Sequence, residues 1–294
     1  MSVAITSREF QELADLMRDE TGIALSPTRS YLVENRLTKL LIELRIDTFE
    51  DLIIRIKKGS THGLMDRVID AMTTNETSWF RDPAVWAKLR DQLLPRMRQV
   101  AKREERKLRI WSAACSTGQE PYSLALLAHD EGWGDDLEVV GTDISSSSLF
   151  VAMSGRYHDY AMSRGFVGQW MHYRERFFDD AGGGIHELRR SVRQSVKFRK
   201  LNLSEALPED LGRFDLVMLR NVVYYLSPQT REALLQEIAK RLRWRAGVML
   251  GETETLVGTG ENYVQEPIGG LELLFPRREL SAASRTSGMP RRTS

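Results

Sequence analysis

The chain has 294 residues and a mass of 33.7 kDa, a length that fits two domains of roughly 150 residues each. Hydrophobic residues make up 41% and charged residues 28% of the sequence, and this balance excludes a wholly disordered chain. The 42 Lys and Arg nearly cancel the 41 Asp and Glu, so the formal net charge is +1. No global field therefore draws the protein to nucleic acid or to an anionic membrane.

The rare residue types and the distribution of charge exclude further classes of protein. The single cysteine, Cys115, cannot form an intrachain disulfide, and the five histidines show no metal-binding spacing. Charged residues interrupt the N-terminal stretch where a signal peptide would need its apolar core. No uncharged apolar segment approaches the ~20 residues that cross a bilayer. We therefore expect a cytoplasmic protein with no metal site and no membrane insertion.

The first third of the chain predicts an all-helical unit. Thr6 and Glu9 have the spacing of a capping box that begins a helix, and Gly22 is a typical helix stop. Further helices are indicated by apolar residues at helical spacing over 29–45, 49–58 and 62–72.

A polar break at 73–78 follows these helices. Asp82 before Pro83 has the chemistry of a new helix start, because Asp can accept free N–H groups and Pro has none to satisfy. This helix should run towards residue 100 and bend at Pro95. We predict a helical N-terminal domain with its interdomain segment over 1–82, a second domain over 83–280, and a disordered tail over 281–294.

From residue 108 onward, short apolar runs alternate with helical patterns. Strands are predicted at 108–113, 137–143, 196–203, 214–219 and 248–251. This alternation predicts a doubly wound, mostly parallel sheet, in which ligands bind beyond the carboxyl ends of the strands. Segment 173–200 breaks the alternation with a triple-glycine turn between two alternating runs, which predicts a small antiparallel β insertion.

The loop after the first of these strands does not suit a dinucleotide. It contains one glycine, Gly118, where a pyrophosphate site needs several. Glu120 would repel a phosphate but suits a positively charged ligand such as S-adenosylmethionine, and Asp143 could accept ribose hydroxyls from the end of the second strand. Taken singly, a helix-capping Glu and a turn Asp explain these residues equally well. Together, at two neighbouring strand ends, they favour S-adenosylmethionine.

The sequence resembles the CheR family of chemotaxis receptor methyltransferases. The stretches that carry the resemblance are MTTNETSWFRDP (72–83), IWSAACSTGQEPYSLAL (110–126), GTDIS (141–145), LNL (201–203) and LRNVVYYL (219–226). It implies an α/β fold: a Rossmann-like class I methyltransferase domain with an inserted small antiparallel β subdomain, preceded by an all-α N-terminal domain. It also implies transfer of methyl groups from S-adenosylmethionine to receptor glutamates, with S-adenosylhomocysteine as by-product, for sensory adaptation.

The resemblance also implies roles for individual residues. Asn75, Thr77 and Arg81 would reach the cofactor from the interdomain segment. Glu120 would meet its methionine part and Asp143 its ribose. The remaining predicted contacts follow the later strands. Asn202 and Leu203 would flank the adenine, and Arg220 and Asn221 would close the site. Of the pair Tyr224 and Tyr225, Tyr225 would stand with Arg81 beside the transferred methyl group.

The partners follow from the same resemblance. The expected substrate is the cytoplasmic helical domain of a chemoreceptor, bound by a protein that acts as a monomer. The basic residues of the 29–45 helix (Arg29, Arg36, Lys39 and Arg45) would face it, whereas Arg55, Lys57 and Lys58 fit a solvated surface better. In some members of the family, the β subdomain also binds a receptor C-terminal peptide by strand addition. The excess of basic residues over 174–200 does not decide whether this chain does so.

The sequence departs from the family pattern at three places. Cys115 stands where a small residue is common, and Trp79 stands where Phe is usual. The segment Gly251-Glu252-Thr253-Glu254-Thr255 replaces the more frequent GHSES, which would alter one wall of the site.

Two alternatives remain open at this point. A methyltransferase of another substrate class, such as nucleic acid, is disfavoured because Arg220-Asn221-Val222 stands where amino-directed enzymes carry an NPPY-type motif. A non-catalytic signalling adaptor that still binds S-adenosylmethionine is disfavoured by the presence of Arg81, Glu120, Asp143 and Tyr225.

Overall fold

The N-terminal part of the chain folds as a helical unit. The computed structural model describes residues 4–59, 63–256 and 260–277, so the predicted tail at 281–294 lies outside the described residues. The helices are α1 (Ser7–Thr21), α2 (Ser30–Leu44), α3 (Phe49–Lys57) and α4 (Leu64–Met72). Their apolar faces meet in one core. The capping box of Thr6 and Glu9 and the left-handed stop at Gly22 are both confirmed.

The next helix departs from regular α geometry. It runs as α5 (Pro83–Lys88), a π-helical turn (Leu89–Leu93) and α6 (Leu94–Arg103). The irregular turn lies just before Pro95, whose ring cannot fit against the carbonyl of a regular α turn. The predicted helix start before Pro83 is confirmed, but the Asp82 side chain does not cap α5: its backbone is left-handed (φ 64°) and its carboxylate accepts a hydrogen bond from Arg220 instead.

The second part of the chain is built on a large sheet. Among the described residues its strands are β1 (Leu108–Ala113), β2 (Leu137–Asp143), β6 (Val196–Lys200), β7 (Phe214–Leu219), β8 (Leu242–Leu250), β9 (Tyr263–Ile268) and β10 (Leu271–Pro276). These seven strands lie in the order β6-β2-β1-β7-β8-β10-β9. Five neighbouring strands are parallel, while β10 is antiparallel to both of its neighbours.

Helices cover both faces of this sheet. They are α7 (Gln119–Asp130) after β1, α8 (Ser146–Ser154) after β2 and α12 (Pro228–Arg241) after β7. Two buried clusters, one on each side of the sheet, form the core. The hairpin of β9 and β10 was not predicted, although two apolar runs around Gly269-Gly270 are a hairpin signal.

A second, three-stranded antiparallel sheet confirms that an insertion exists. Its strands are β3 (Arg156–His158), β4 (Phe178–Asp180) and β5 (Ile185–Leu188), in the order β3-β5-β4. Short helices α9 (Asp159–Ser163) and α10 (Met171–Phe177) connect β3 to β4, and α11 (Arg190–Arg193) leads from β5 to the large sheet. The sheet therefore uses residues 156–188 rather than 173–200. Val196–Lys200 instead pairs in parallel with β2 as an edge strand of the large sheet, within the separately predicted strand at 196–203.

The helical unit is hydrogen-bonded to the large domain beside Tyr225. Ile23 forms an antiparallel bridge with Leu226. The Ala24 N–H donates to the Tyr225 carbonyl at 2.9 Å, and the Ser227 N–H donates to the Gly22 carbonyl at 3.2 Å. Because these bonds are made by backbone groups, they fix the position of the loop after β7 relative to α1.

An aromatic cluster holds the interdomain segment against the insertion. Trp79 is fully buried and stacks on Phe166, with ring centroids 4.9 Å apart. The backbone N–H of Trp79 donates to the Arg164 carbonyl at 3.2 Å. Gly165 passes so close that a Cβ there would overlap the Trp79 carbonyl oxygen, and its φ is 108°. Only glycine fits this crossing.

We predict that Gly165→Ala lowers the free energy of unfolding by about 3 kcal/mol or more, since it adds steric overlap to left-handed strain. Gly168→Ala is the matched control: its φ is also positive, but a Cβ there meets no atom within 4 Å. The control should lose only about 1–2 kcal/mol. Urea unfolding of both variants measures the difference, and equal losses would contradict the close packing of Gly165 on Trp79.

Candidate active site

A cavity of about 530 Å³ lies between the helical unit and the large sheet. Its walls come from the loop after α1, the interdomain segment (residues 73–82) and the carboxyl ends of β1, β2, β6 and β7. This is the edge of a doubly wound sheet where ligands bind. All ten residues named from the sequence line this one cavity: Asn75, Thr77, Arg81, Glu120, Asp143, Asn202, Leu203, Arg220, Asn221 and Tyr225.

Asp143 organises the loop after β1. Its carboxylate accepts hydrogen bonds from the backbone N–H groups of Ser116, at 2.7 Å, and Ser145, at 2.9 Å. Burial raises the pKa of Asp143, and these N–H donors partly offset that rise. Each oxygen keeps a further lone pair, so the carboxylate can also accept from ligand hydroxyls.

Ser116 is a site residue that the sequence analysis missed. Its backbone is left-handed (φ 51°), and its hydroxyl donates to the Asn75 carbonyl at 2.9 Å. It therefore joins the loop after β1 to the interdomain segment. Its place in the ACSTG stretch between strand and helix was the only available signal.

A buried guanidinium links two carboxylates at the other side of the cavity. Arg220, with 1% of its side chain exposed, contacts Glu120 at 3.1 Å and Asp82 at 2.6 Å. The second Glu120 oxygen accepts from the Ser112 hydroxyl at 2.8 Å. Burial raises the pKa of Glu120, whereas Arg220 and the Ser112 hydroxyl act in the opposite direction. This charge cluster (Asp82, Glu120 and Arg220) connects the interdomain segment, α7 and the end of β7.

Asn202 lies on the wall, but its amide is engaged within the protein. Its Nδ2 donates to the Glu20 carbonyl at 2.6 Å, and its Oδ1 accepts from the Ser204 N–H at 3.1 Å. It thus ties the loop after β6 to the end of α1. Apolar side chains, Leu201 and Leu203 among them, form the cavity wall beside it.

Both tyrosines of the pair after β7 line the cavity. Their ring centroids are 4.2 Å apart, and the Tyr224 hydroxyl donates to the Tyr225 hydroxyl oxygen at 3.2 Å. Burial and the Tyr225 hydroxyl raise the pKa of Tyr224. Tyr224 therefore stays protonated at neutral pH and acts as a hydrogen-bond donor.

Cys115 behaves as a small apolar filler. It is 2% exposed and lies at the cavity wall. Burial raises the pKa of its thiol well above the ordinary value, and the nearby carboxylates of Asp143 and Glu120 raise it further. A protonated thiol is a poor nucleophile, so the structure offers no chemistry for Cys115.

The chemistry of the cavity wall fits S-adenosylmethionine. Two carboxylates face a cavity that also has an apolar side, which suits a cationic ligand with hydroxyl groups and an aromatic base. Among the residues the structure describes, there is no cluster of three or more His, Cys, Asp or Glu able to hold a metal ion. In the same part of the chain, no helix combines the length and apolar character needed to cross a membrane.

Comparison with known proteins identifies the family. A model for the all-alpha domain of CheR methyltransferases matches residues 8–73, and one for their SAM binding domain matches residues 75–268. The chain belongs to the CheR methyltransferase family. The predicted fold class and the cofactor, S-adenosylmethionine, are thereby confirmed.

Individual relatives agree with this assignment over nearly their whole lengths. "Chemotaxis protein methyltransferase 1" of Pseudomonas aeruginosa is 36% identical over 268 residues, which cover 89% of this chain and 95% of that relative. "Chemotaxis protein methyltransferase 1" of Vibrio cholerae is 34% identical over 267 residues, which cover 89% of this chain and 94% of that relative.

We predict that Arg220→Met lowers the free energy of unfolding near neutral pH by about 3–5 kcal/mol, because Glu120 and Asp82 lose the cation between them. The loss should shrink as the pH falls. Burial already raises the pKa of Glu120, and removing Arg220 raises it further, so the folded variant binds a proton more tightly than the unfolded chain.

Urea unfolding at two pH values, one near neutral and one near the ordinary Glu pKa, measures this effect. The matched control is Arg98→Met, which breaks a pair with Asp136 in which both side chains are about one-third exposed. That loss should be about 1 kcal/mol or less. An Arg220→Met variant as stable as the control would contradict the charge cluster.

Proposed function

We propose that the protein transfers methyl groups from S-adenosylmethionine to glutamate side chains in the cytoplasmic helical domain of chemoreceptors. The observation that carries this proposal is the joint presence of Arg81 and Tyr225 on the wall of a cavity in a SAM-binding domain. The names of the relatives, chemotaxis protein methyltransferases, support the receptor as substrate. Receptors of this kind present their methylated helices in the cytoplasm, so we place the reaction there.

We assign the cofactor contacts as follows. Asp143 holds the ribose and Glu120 the methionine part, where its negative charge favours a cation. Leu203 and the backbone around Asn202 hold the adenine, because the Asn202 amide is engaged elsewhere. The remaining contacts come from the interdomain segment and the end of β7: Asn75, Thr77, Arg81, Arg220 and Asn221.

The chemistry requires positioning rather than a general base. S-adenosylmethionine supplies an activated methyl group on a positively charged sulfur, and a neutral thioether is left. A glutamate side chain has a reference pKa of about 4.3, so it is already a nucleophilic carboxylate at neutral pH. The work of the protein is to aim one carboxylate oxygen and to exclude water, and such positioning supplies up to ~7–11 kcal/mol.

Arg81 and Tyr225 are the groups we propose for aiming the carboxylate. The Tyr225 hydroxyl receives a hydrogen bond from Tyr224, so its own proton is free to point towards the substrate. The Arg81 guanidinium donates to the Glu76 carbonyl at 3.2 Å, which holds it over the cavity while leaving other N–H groups available.

The receptor-facing surface differs from the expectation at one residue. Arg36 donates to the Met72 carbonyl at 2.5 Å and to the Thr74 hydroxyl at 3.1 Å, so it holds the interdomain segment in place. Of the other three, Lys39 and Arg45 remain our candidates for contact with acidic receptor helices, while the side chain of Arg29 lies outside the described residues. Arg55 and Lys57 form exposed ion pairs with Asp51 and Glu12, as fits a solvated surface.

Most basic residues of segment 174–200 are paired with carboxylates. The pairs are Arg176–Asp130, Arg189–Asp179, Arg193–Glu187, Lys197–Glu138, Arg199–Asp210 and Lys200–Asp66. A receptor C-terminal peptide would bind by main-chain pairing at the edge strands β3 or β4. The single chain contains every residue of the proposed site, and we propose that it acts as a monomer.

Incubation with labelled S-adenosylmethionine and receptor fragments tests the function. We expect label on the receptor that is released by alkali, because a glutamate methyl ester is base-labile. Base-stable label would exclude a carboxyl ester. Label transferred to RNA or DNA instead would support another substrate class, and binding without any transfer would support a non-catalytic adaptor.

We predict that Tyr225→Phe and Arg81→Ala each slow methyl transfer from bound cofactor by about 10- to 100-fold, the value of a lost hydrogen bond to a charged group. Cofactor affinity, measured separately by calorimetry, should change little in Tyr225→Phe. The control is Tyr160→Phe, because Tyr160 is 73% exposed and lies outside the cavity wall. Unchanged transfer in both test variants would contradict the aiming role.

A further inference from the structure

Glu254 receives three backbone hydrogen bonds just behind the active site. One oxygen accepts from the Asn221 N–H at 2.6 Å and the Gly251 N–H at 2.9 Å, and the other accepts from the Val223 N–H at 2.8 Å. A turn closed by the Glu254 N–H on the Gly251 carbonyl directs the side chain back to these donors. Glu254 does not line the cavity. Of its three donors, Asn221 lines the cavity and Val223 lies between two residues that do, Val222 and Tyr224.

The segment that Glu254 holds has no regular structure to support it. After β7 the chain passes through Asn221, which is left-handed with φ 58°, and then a single 3₁₀ turn over Val223–Tyr225. The N–H groups at such a turn have no partner in a sheet ladder. The Glu254 carboxylate supplies acceptors for two of them and so fixes the path that leads to Tyr225.

The close packing around Gly251 leaves little room for a side chain. A Cβ at that position would lie 2.8 Å from the Asn221 side-chain nitrogen, 2.9 Å from a Glu254 carboxylate oxygen and 3.0 Å from the Asn221 backbone nitrogen. Any side chain there would push Asn221 and Glu254 apart. The absence of a side chain at residue 251 is thus a second, independent sign that the carboxylate and the loop are packed to a fixed distance.

A charged acceptor is needed because three donors converge on both oxygens. Glutamine has the same shape, but it offers one oxygen, and its NH₂ group would face an N–H donor. On the opposite side of the loop, the Ala24 N–H holds the Tyr225 carbonyl. Tyr225 therefore lies between a fixed carboxylate and a fixed strand-like contact.

We propose that Glu254 is a positioning residue for methyl transfer: it holds residues 221–225 so that the Tyr225 hydroxyl faces the incoming carboxylate. This inference rests on the proposed role of Tyr225. It assigns a function to Gly251 and Glu254, two residues of the stretch Gly251 to Thr255.

Hydrogen exchange tests, without any substrate, whether Glu254 holds the backbone of the loop. In the wild-type protein the amides of Asn221, Val223 and Gly251 should be protected, although none lies in a regular strand or α-helix. Glu254→Gln and Gly251→Ala should each speed their exchange by about tenfold or more. Glu252→Gln is the matched control, since Glu252 is exposed and outside this cluster. Wild-type amides that exchange like an open loop would overturn the proposal even if a variant failed to fold.

A double-mutant cycle tests whether Glu254 acts on methyl transfer through the Tyr225 hydroxyl. Glu254→Gln should slow transfer, and Tyr225→Phe should then cost much less in that background than in the wild type, because the hydroxyl is no longer aimed. If the fold-losses in transfer rate of the two single variants simply multiply in the double variant, the positioning role is overturned. A wild-type protein that transfers no base-labile methyl group to receptors would refute the proposed function instead. The exchange measurement would still decide whether Glu254 holds the loop.

Discussion

The buried ion contact of Arg220 with Glu120 and Asp82 is the interaction on which the site depends. Arg220 follows β7, Glu120 lies in the first turn of α7 and Asp82 ends the interdomain segment, so one guanidinium links three separate stretches of chain. Removing Arg220 would leave both carboxylates without their cation. Asp82 does not cap its own helix because its carboxylate is bound to Arg220. With two carboxylates and one guanidinium, the cluster carries a formal charge of −1, which suits a cationic ligand.

Carboxylates recur at the ends of the parallel strands because the loops there lack regular hydrogen bonding. Asp143 accepts from Ser116 and Ser145, and Glu254 accepts from three amides of its own surroundings. Each holds a tight loop at the point where the ligand cavity begins. Side chains of this kind act first on the backbone, and the ligand then meets loops that are already formed. Such preorganisation suits a reaction whose main demand is alignment.

The sequence predicted regular elements well and backbone-bound side chains poorly. Strands β1 and β7 have their predicted bounds, because each is one continuous apolar run. The insertion begins earlier than predicted, since Arg156–His158 is too short for its alternation to show. The hairpin β9–β10 was missed despite Gly269-Gly270. Ser116 and Glu254 could not have been found from one sequence, because their partners are backbone groups brought together only by the fold. Arg36 was assigned to a surface, but it binds Met72 and Thr74.

The roles proposed for the site residues all require that the cofactor binds in the cavity between the helical unit and the sheet. A crystal structure of the full chain with S-adenosylhomocysteine tests it most directly. We expect the nucleoside between Asp143 and Leu203, the amino-acid part beside Glu120, and residues 75–81 closed over both. A ligand bound elsewhere, or a cavity that stays vacant at saturating concentration, would contradict the account.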